Sequence, residues 1–147
     1  MKCPACYSEL RSVQIGKLTV DICADGCGGI WFDAFELQQV DEAHEVAGER
    51  LLEFESGRRI QVDARRKRAC PRCDEVKLKR RFFSPRRQIE IDECPGCGGC
   101  WLDADELGKI RAITEQNRVE RETRRPYLTG SVVRYLYELR IERRVED

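Results

Sequence analysis

Apolar and polar residues alternate in two pairs of short segments, and a turn-forming sequence separates the members of each pair. Gly16-Lys17 lies between the first two segments, and residues 84–87, SPRR, lie between the second two. A period of two with an intervening turn predicts one β-hairpin for each pair. The apolar positions of these hairpins are Leu10, Val13, Ile15, Leu18, Val20, Ile22, Val76, Leu78, Phe82, Ile89 and Ile91.

Three further segments carry apolar residues every three to four positions, which is the period of an amphipathic helix. The first predicts a helix over residues 34–54, ended by Ser56-Gly57, and the second a helix over 104–124, ended by Pro126. The third predicts an amphipathic helix over 131–145. Because its apolar side needs a partner, we expect it to pack on another helix of the chain or on a second copy, as in a homo-oligomer.

The first two predicted helices begin with the same D-x-x-E sequence, at Asp33 and Glu36 and again at Asp103 and Glu106. In a capping box the first side chain accepts a hydrogen bond from the third amide of the helix, and the glutamate reaches back to the cap. Paired carboxylates also occur in acid–base catalysis. Capping is the favoured interpretation, since no nucleophile or cofactor motif accompanies these pairs.

These elements occur twice because part of the sequence is repeated. Residues 27–37, CGGIWFDAFEL, return as residues 97–107, CGGCWLDADEL, with eight of the eleven positions identical. Repetition predicts two copies of one small module. A module of about 45 residues buries too little apolar surface to fold on that alone, so it needs a metal, disulfides or a partner.

Eight of the nine cysteines form four pairs, two pairs in each repeat. A pair on a tight turn directs both sulfurs to one ion, and four thiolates make a closed tetrahedral site. We find no secretory leader and no long apolar run, so we expect a cytoplasmic protein with reduced thiols rather than disulfides. The predicted metal ligands are Cys3, Cys6, Cys23 and Cys27 in the first repeat and Cys70, Cys73, Cys94 and Cys97 in the second.

Soft thiolate sites hold zinc or iron, and cysteine spacing alone leaves both metals open. Zinc, two ions per chain, is the expectation, because the sites lie in separate modules and nothing in the sequence indicates a redox partner. A rubredoxin-like or thiol-based redox protein is the alternative. Catalytic zinc keeps an open coordination position, so two closed sites predict that the protein is not an enzyme.

The glycines and one widened turn suggest differences in the backbone around the sulfurs. The second pair of the first repeat has three intervening residues instead of two, and Asp25-Gly26 is expected to absorb the extra residue as a turn. We expect that site to be the less regular and the weaker one. Gly28-Gly29 and Gly98-Gly99 are expected to let the backbone wrap closely around the sulfurs.

Four other residues have a structural and a functional interpretation. Cys100 aligns with Ile30 and is interpreted as a small buried hydrophobe; the alternative is a replacement ligand or a redox-sensitive thiol. His44, the only histidine, is interpreted as an ordinary helix residue rather than a ligand. Trp31 and Trp101 are predicted to cover a small core beside each site, with base stacking as the alternative.

The charges balance overall, with 27 basic and 27 acidic residues, but they are unevenly distributed. Residues 58–87 contain 13 basic and 3 acidic side chains between two acidic flanks. Basic residues within 65–87, together with Phe82 and Phe83, are typical of a surface for single-stranded nucleic acid or an acidic protein. The favoured alternative is neutralisation by acidic residues of the same chain, such as those of 41–55.

The motif C-P-x-C, a hairpin ending in an apolar-Asp pair, and C-x-x-C-G-G-x-W-L-D-A-x-E-L resembles the transcription-factor-IIB-like zinc-ribbon family of prokaryotic proteins. The first repeat departs from it by the wider turn and by Phe32 in place of leucine. The resemblance implies zinc binding and does not by itself imply a role in transcription. The matching positions are Cys3, Cys6, Asp21, Cys23, 27–37, Cys70, Cys73, Ile91-Asp92, Cys94, Cys97 and 101–107.

We therefore expect a small, metal-stabilised α+β protein with two zinc ribbons, each a β-hairpin plus knuckles followed by a long α-helix, and a C-terminal amphipathic helix. The predicted domains are a first ribbon and helix (1–57), a basic linker (58–68), a second ribbon and helix (69–125) and the C-terminal helix (126–147). The expected function is non-enzymatic docking of an unknown protein or of nucleic acid through residues 65–87, away from membranes.

Overall fold

The computed structural model of the protein describes residues 1–41, 44–54, 59–83 and 89–123. Within these segments the chain is a small α+β structure in which six short strands form one antiparallel sheet. The strands are β1 (Arg11–Ile15), β2 (Leu18–Ile22), β3 (Ile30–Phe32), β4 (Lys79–Phe82), β5 (Glu90–Glu93) and β6 (Cys100–Leu102).

The helical elements follow the third strand of each repeat. A 3-10 turn (Leu37–Gln39) and helix α1 (Val46–Glu53) come after β3, and helix α2 covers residues 106–123 after β6. None of the helices in the described part of the chain is long and apolar enough to span a membrane.

The chain divides into two compact units, Met1–Thr114 and Glu115–Asp147. The first unit contains both repeats, the whole sheet and the segment between the repeats. In the second unit only 115–123 are described, where Arg118 pairs with glutamates three residues before it and four after it. The four-part domain division drawn from the sequence stays a prediction.

The two repeats are joined at the middle of the sheet, whose strand order is β1-β2-β3-β6-β5-β4. Trp31 pairs with Trp101 in the β3–β6 register, flanked by Ile30 opposite Leu102 and by Phe32 opposite Cys100. Equivalent positions of the two repeats lie 70 residues apart, so Trp31 and Trp101 are equivalent. Each of these two antiparallel strands is therefore paired with its own counterpart. The β3–β6 seam therefore has the self-complementary form of a two-fold interface between identical subunits.

The two faces of the sheet carry different cores. Along β2, Leu18, Val20 and Ile22 face a large apolar core, while Asp21 faces the opposite side. Alternation of side chains along a strand requires this division. The opposite face holds both tryptophans and seven of the eight paired cysteines. The buried residues of the large core are Ile15, Leu18, Val20, Ile22, Ile30, Phe32, Leu37, Val40, Leu51, Ile89, Ile91, Cys100, Leu102, Leu107 and Ile110.

The second glycine of each Gly-Gly pair accommodates a tryptophan of the other repeat. A Cβ on Gly29 would lie 2.1 Å from Trp101 Cζ2, and a Cβ on Gly99 would lie 2.3 Å from Trp31 Cζ2. The backbone of Gly29 also hydrogen-bonds to Cys27, which agrees with the expectation that the glycine pair lies close to the sulfurs. The lack of a side chain at Gly29 and Gly99 lets the two indoles pack across the seam.

The single long helix predicted over 34–54 is wrong, because among the described residues of this region only the 3-10 turn and α1 are helical. Arg111 of α2 donates hydrogen bonds to the carbonyls of Val40 (2.7 Å) and Glu45 (3.2 Å), on the two sides of the interruption. Tertiary contacts of this kind outweigh the helical periodicity of the sequence. His44 accordingly lies in a turn before α1 and not within a helix.

The second predicted helix, 104–124, agrees with α2 in the described residues, where α2 begins two residues later, at 106, and continues to 123, the last described residue. The predicted helix over 131–145 lies outside the described residues.

We predict that Gly29→Ala destabilises the protein by about 2 kcal/mol or more, because the new methyl group overlaps the Trp101 ring and the Leu102 carbonyl oxygen. The measurement is the free energy of unfolding in urea. Gly108→Ala is the matched control: its Cβ meets only Leu52 Cδ2 at 3.7 Å, and alanine favours the helix by up to about 1 kcal/mol. Equal effects of the two substitutions would contradict the packing described for the seam.

Candidate metal centres

The first centre lies where two turns of the first repeat meet. Cys3 and Cys6 come from the turn before β1, and Cys23 and Cys27 come from the turn between β2 and β3. All four Sγ atoms lie within 4.8 Å of one another. The closest pairs are Cys3–Cys27 at 3.6 Å and Cys6–Cys23 at 3.4 Å.

The second centre repeats this arrangement in the second half of the chain. Cys70 and Cys73 precede β4, and Cys94 and Cys97 lie between β5 and β6. The Sγ atoms are 3.7 Å apart for Cys70–Cys97 and 3.9 Å apart for Cys73–Cys94. Four thiolates bound tetrahedrally at the usual zinc–sulfur length lie about 3.8 Å apart, so both clusters have the size of a four-sulfur metal site.

Backbone N–H groups point at the sulfurs of both centres. Cys3 Sγ accepts from two N–H groups of its own turn at 3.4 Å, and Cys70 Sγ accepts from two at 3.3 and 3.4 Å. Cys94 Sγ likewise accepts from Gly96 and Cys97. Donors in this position stabilise the negative charge of a thiolate and orient it for a metal. The fold thus builds the donor set that a thiophilic cation such as zinc or iron requires.

The widened turn of the first centre depends on Gly26. A Cβ at this position would lie 2.6 Å from Cys23 Sγ and 2.8 Å from Cys6 Sγ, whereas one on the equivalent Gly96 would lie 3.4 Å from Cys73 Sγ. The extra residue is therefore accommodated by glycine packed against the sulfurs. The expectation that this centre binds metal more weakly remains a prediction.

The two centres differ in how far the turn that carries their second cysteine pair, here called the second knuckle, is covered. Cys27 is buried, and Ile60 donates its backbone N–H to the Gly26 carbonyl at 3.0 Å. In the second centre Cys97 is exposed together with its neighbours in residues 95–98. Residues that follow the first repeat thus shield one centre, while the corresponding surface of the other is open.

The thiols of each cluster differ in proton affinity. A hydrogen bond with Cys3 lowers the pKa of Cys27 to about 6, whereas burial raises the pKa of Cys23 to about 11. Burial raises the pKa of Cys70 to about 12; it acts on Cys94 too, but the N–H groups of its turn outweigh it and bring that pKa to about 7. A cation that binds four thiolates must displace the tightly held protons, so metal affinity rises with pH.

Each tryptophan beside the centres belongs to a polar cluster. The Trp31 indole donates to Asp33 at 2.9 Å, and the Arg72 guanidinium donates to both oxygens of Asp33 at 2.7 and 2.8 Å. Arg72 also pairs with buried Asp21 at 3.1 Å. Because Arg72 belongs to the second repeat and both aspartates to the first, these contacts tie the repeats together.

The second repeat contains the equivalent cluster around a different arginine. Trp101 donates to Asp103 at 3.0 Å, and Arg68, which is 3% exposed, pairs with Asp103 at 2.8 Å and with Asp92 at 3.0 Å. Sequence reasoning did not predict these clusters. Their signal was an aspartate within a strand, next to core isoleucines, as at Asp21 and Asp92, because a buried carboxylate requires a cation nearby.

These contacts account for much of the basic segment. Arg80 pairs with Asp92 at 3.3 Å, Arg81 pairs with Glu93, and the Arg66 guanidinium lies 4.9 Å from the centre of the Tyr7 ring. The sequence had suggested the acidic residues of 41–55 as partners. The carboxylates that pair with these arginines belong to strands and turns instead. Arg86 and Arg87 lie outside the described residues. Among the described carboxylates, none pairs with Lys67, Lys77 or Lys79.

Half of each predicted capping box is present. Glu36 accepts from the Asp33 N–H at 2.7 Å and Glu106 from the Asp103 N–H at 2.8 Å, as predicted. The Asp side chains bind the indoles and arginines instead of the third amide. Burial raises the pKa of Glu106 to about 7.

Three residues for which the sequence also allowed a functional role are buried in the fold. Cys100 is buried in the large apolar core on the opposite face from the sulfur clusters, and burial raises its pKa to about 12. Trp31 and Trp101 have no exposed surface, so neither offers a face to a base. Each of the two sulfur clusters found in the described residues contains four cysteines, and Cys100 is in neither.

The sequence model of a family described as "Transcription factor zinc-finger", of the TFIIB zinc-ribbon type, matches residues 2–43 and 69–112. These two regions cover more than half of the chain. The protein belongs to this zinc-ribbon family. It carries two tandem copies, and both four-cysteine clusters lie within the matched regions. No curated protein and no solved structure matches the chain.

Arg68→Met is expected to cost about 3–5 kcal/mol of unfolding free energy, because it leaves the carboxylates of Asp92 and Asp103 without their buried cation. Urea denaturation of the metal-loaded protein at neutral pH measures the loss. Arg65→Met is the control, since that residue is exposed and its substitution should change stability by less than about 0.5 kcal/mol. A loss at Arg68 no larger than the control would refute the role assigned to the ion pairs.

Glu106 makes the free energy of unfolding of the zinc-ribbon protein depend on pH. Its pKa is 4.5 when unperturbed and about 7 in the fold, so the folded state binds the proton more tightly. The stabilisation is complete below pH 4.5 and is lost as the pH rises to 7, at about 1.4 kcal/mol per pKa unit. Glu106→Gln keeps the acceptor for Asp103 N–H, and its stability relative to wild type should rise with pH across this window in urea denaturation.

Glu36→Gln is the matched control, because the pKa of Glu36 is raised in the same direction but less far. The same pH profile for both variants would contradict the assignment to Glu106.

Proposed function

We propose that the protein is a non-enzymatic double zinc ribbon in which two zinc ions hold a platform that docks a partner protein. The observation that carries the proposal is the pair of closed four-sulfur clusters, each built from two turns of one repeat. Sites of this kind supply folding free energy to small domains, on the order of 10 kcal/mol in zinc peptides. Four sulfurs leave no position for a substrate, which supports a structural role for the metal.

Other groups that catalysis could use are engaged elsewhere. Asp33 and Asp103 bind indole and guanidinium groups, and Glu36 and Glu106 accept backbone N–H groups. Cys100 is sequestered in the apolar core. These contacts support the proposal that the protein is not an enzyme.

Protein docking is favoured over nucleic-acid binding by the state of the basic segment. Arg68, Arg72, Arg80 and Arg81 are paired with carboxylates of the same chain. Phosphate binding by these side chains would have to break internal ion pairs, one of them buried. The buried tryptophans also supply no stacking surface, which binding of single strands commonly uses.

Elemental analysis of protein purified without added metal tests the first half of the proposal, with two zinc ions per chain expected. Cys97→Ser should lose one zinc, because it removes an exposed ligand of the second cluster. Cys100→Ala is the matched control and should retain two, since Cys100 lies outside both clusters. A red, iron-containing protein would support the electron-transfer alternative instead, and loss of zinc from Cys100→Ala would contradict the ligand assignment.

Binding to single-stranded and duplex oligonucleotides over a salt series tests the second half. We expect no specific binding at physiological salt, because Arg68, Arg72, Arg80 and Arg81 are paired with carboxylates of the same chain. Affinity that is measurable and falls steeply with salt would indicate phosphate contacts. That outcome would replace the protein partner with a nucleic acid.

A further inference from the structure

The second knuckles of the two repeats are equivalent in backbone but differ in what covers them. In the first repeat, whose second knuckle is called the first knuckle below, Ile60 donates its N–H to Gly26 O at 3.0 Å. Arg59 lies beside Gly28, where an added Cβ would be 3.1 Å from Nε, and its guanidinium pairs with Asp105 at 3.0 Å. An extended piece of the same chain is therefore held on this knuckle by one backbone hydrogen bond and one ion pair.

The equivalent surface of the second repeat has the same backbone shape. Gly98, like Gly28, has a positive φ (75° against 78°), and a Cβ on it would lie 3.4 Å from Ala34 Cβ. On Gly28 the same distance, 3.4 Å, separates a Cβ from Ala104 Cβ. Each knuckle is thus bordered by the loop of the opposite repeat, as the pseudo-two-fold axis requires.

The knuckle of the second repeat, called the second knuckle below, is nevertheless exposed. Residues 95–98 are accessible to solvent, and no backbone N–H of the described segments donates to Gly96 O, the counterpart of Gly26 O. The Asp105 carboxylate, which holds Arg59 at the first knuckle, also has no counterpart at the second, because the equivalent residue is Phe35.

Phe35 is an unusual residue for the fold to retain. It is 82% exposed and has a φ of +68°, a left-handed conformation that a bulky side chain adopts only at a cost. The equivalent Asp105 has a φ of +71°, so the turn of each repeat imposes this conformation. The exposed Phe35 ring contributes little to the core.

We propose that residues 95–98, Ala34 and Phe35, here called the second-knuckle surface, bind an extended segment of a partner protein. This inference rests on the docking function proposed above. The partner segment donates a backbone N–H to Gly96 O, as Ile60 does to Gly26 O. It places an apolar side chain on the Phe35 ring, at the position that Arg59 takes beside Asp105.

The chemistry of the occupant follows from the exchange of aspartate for phenylalanine. A carboxylate selects the arginine of the first segment, whereas an exposed ring in its place gains from contact with an apolar side chain. A second copy of the chain cannot provide residues 59–62, because these already cover its own first knuckle. The occupant proposed here is a segment of a different protein.

Two peptides test the proposal against the full-length, zinc-loaded chain. The first has the sequence of residues 59–64, RIQVDA, and the second, LIQVDA, replaces its arginine with leucine. In amide nitrogen–proton NMR spectra, the leucine peptide at millimolar concentration should shift Gly96, Cys97, Gly98 and Phe35. Residues 26–28 should not move, because the first knuckle is covered.

Phe35→Asp provides the reciprocal test, since it recreates the carboxylate of the first knuckle. The arginine peptide should then bind more tightly than the leucine peptide by about threefold to fivefold, as a surface ion pair allows. The wild-type protein should show the opposite preference. Absence of shifts at residues 95–98, or the same preference in both proteins, would overturn the proposal.

The thermal stability of Phe35→Asp supplies an independent readout. Aspartate tolerates the left-handed region better than phenylalanine, so the variant should unfold at the same temperature as wild type or higher. A lower unfolding temperature would mean that Phe35 stabilises the fold, which would also overturn the inference. A protein that holds two zinc ions and ignores oligonucleotides and both peptides would refute this surface while leaving the proposed zinc-stabilised docking function in place.

Discussion

The pairing of β3 with β6 is the constraint on which the rest of the structure depends. It buries Trp31 and Trp101 on one face of the sheet and joins two apolar half-cores on the other. Neither indole could reach its position if Gly29 or Gly99 carried a side chain. Because the register is self-complementary, the four-cysteine clusters and the Trp–Asp contacts occur at both ends of the seam.

The seam and the metal centres support one another. Arg72 lies between two predicted ligands of the second centre; its backbone N–H donates to Cys70 Sγ, and its guanidinium pairs with Asp33 of the first repeat. A metal that fixes this turn would therefore also fix a cation for Asp33 and for the buried Asp21 of the other half. Such coupling explains how two modules of this size share one stable core.

Much of the local structure was readable from the sequence, because short-range rules determine it. Cysteine spacing predicted the groups of four that the fold assembles, and the periods of apolar residues predicted the two hairpins and α2. The helix predicted over 34–54 failed because Arg111, far along the chain, binds its carbonyls. The edge-to-edge pairing of the repeats and the partners of Arg68 escaped prediction for the same reason: both are contacts between residues distant in sequence.

The pseudo-two-fold seam also bears on how such a chain can evolve. Two identical modules that paired through this strand would form a homodimer in which every substitution appears at both ends. Joining the modules in one polypeptide removes that restriction and lets each position mutate alone. In this chain the residue beside the first knuckle is a carboxylate, Asp105, and the equivalent residue of the other repeat is an aromatic ring, Phe35. A repeated module joined in one polypeptide thus has two distinguishable ends, where a symmetric dimer would have two identical ones.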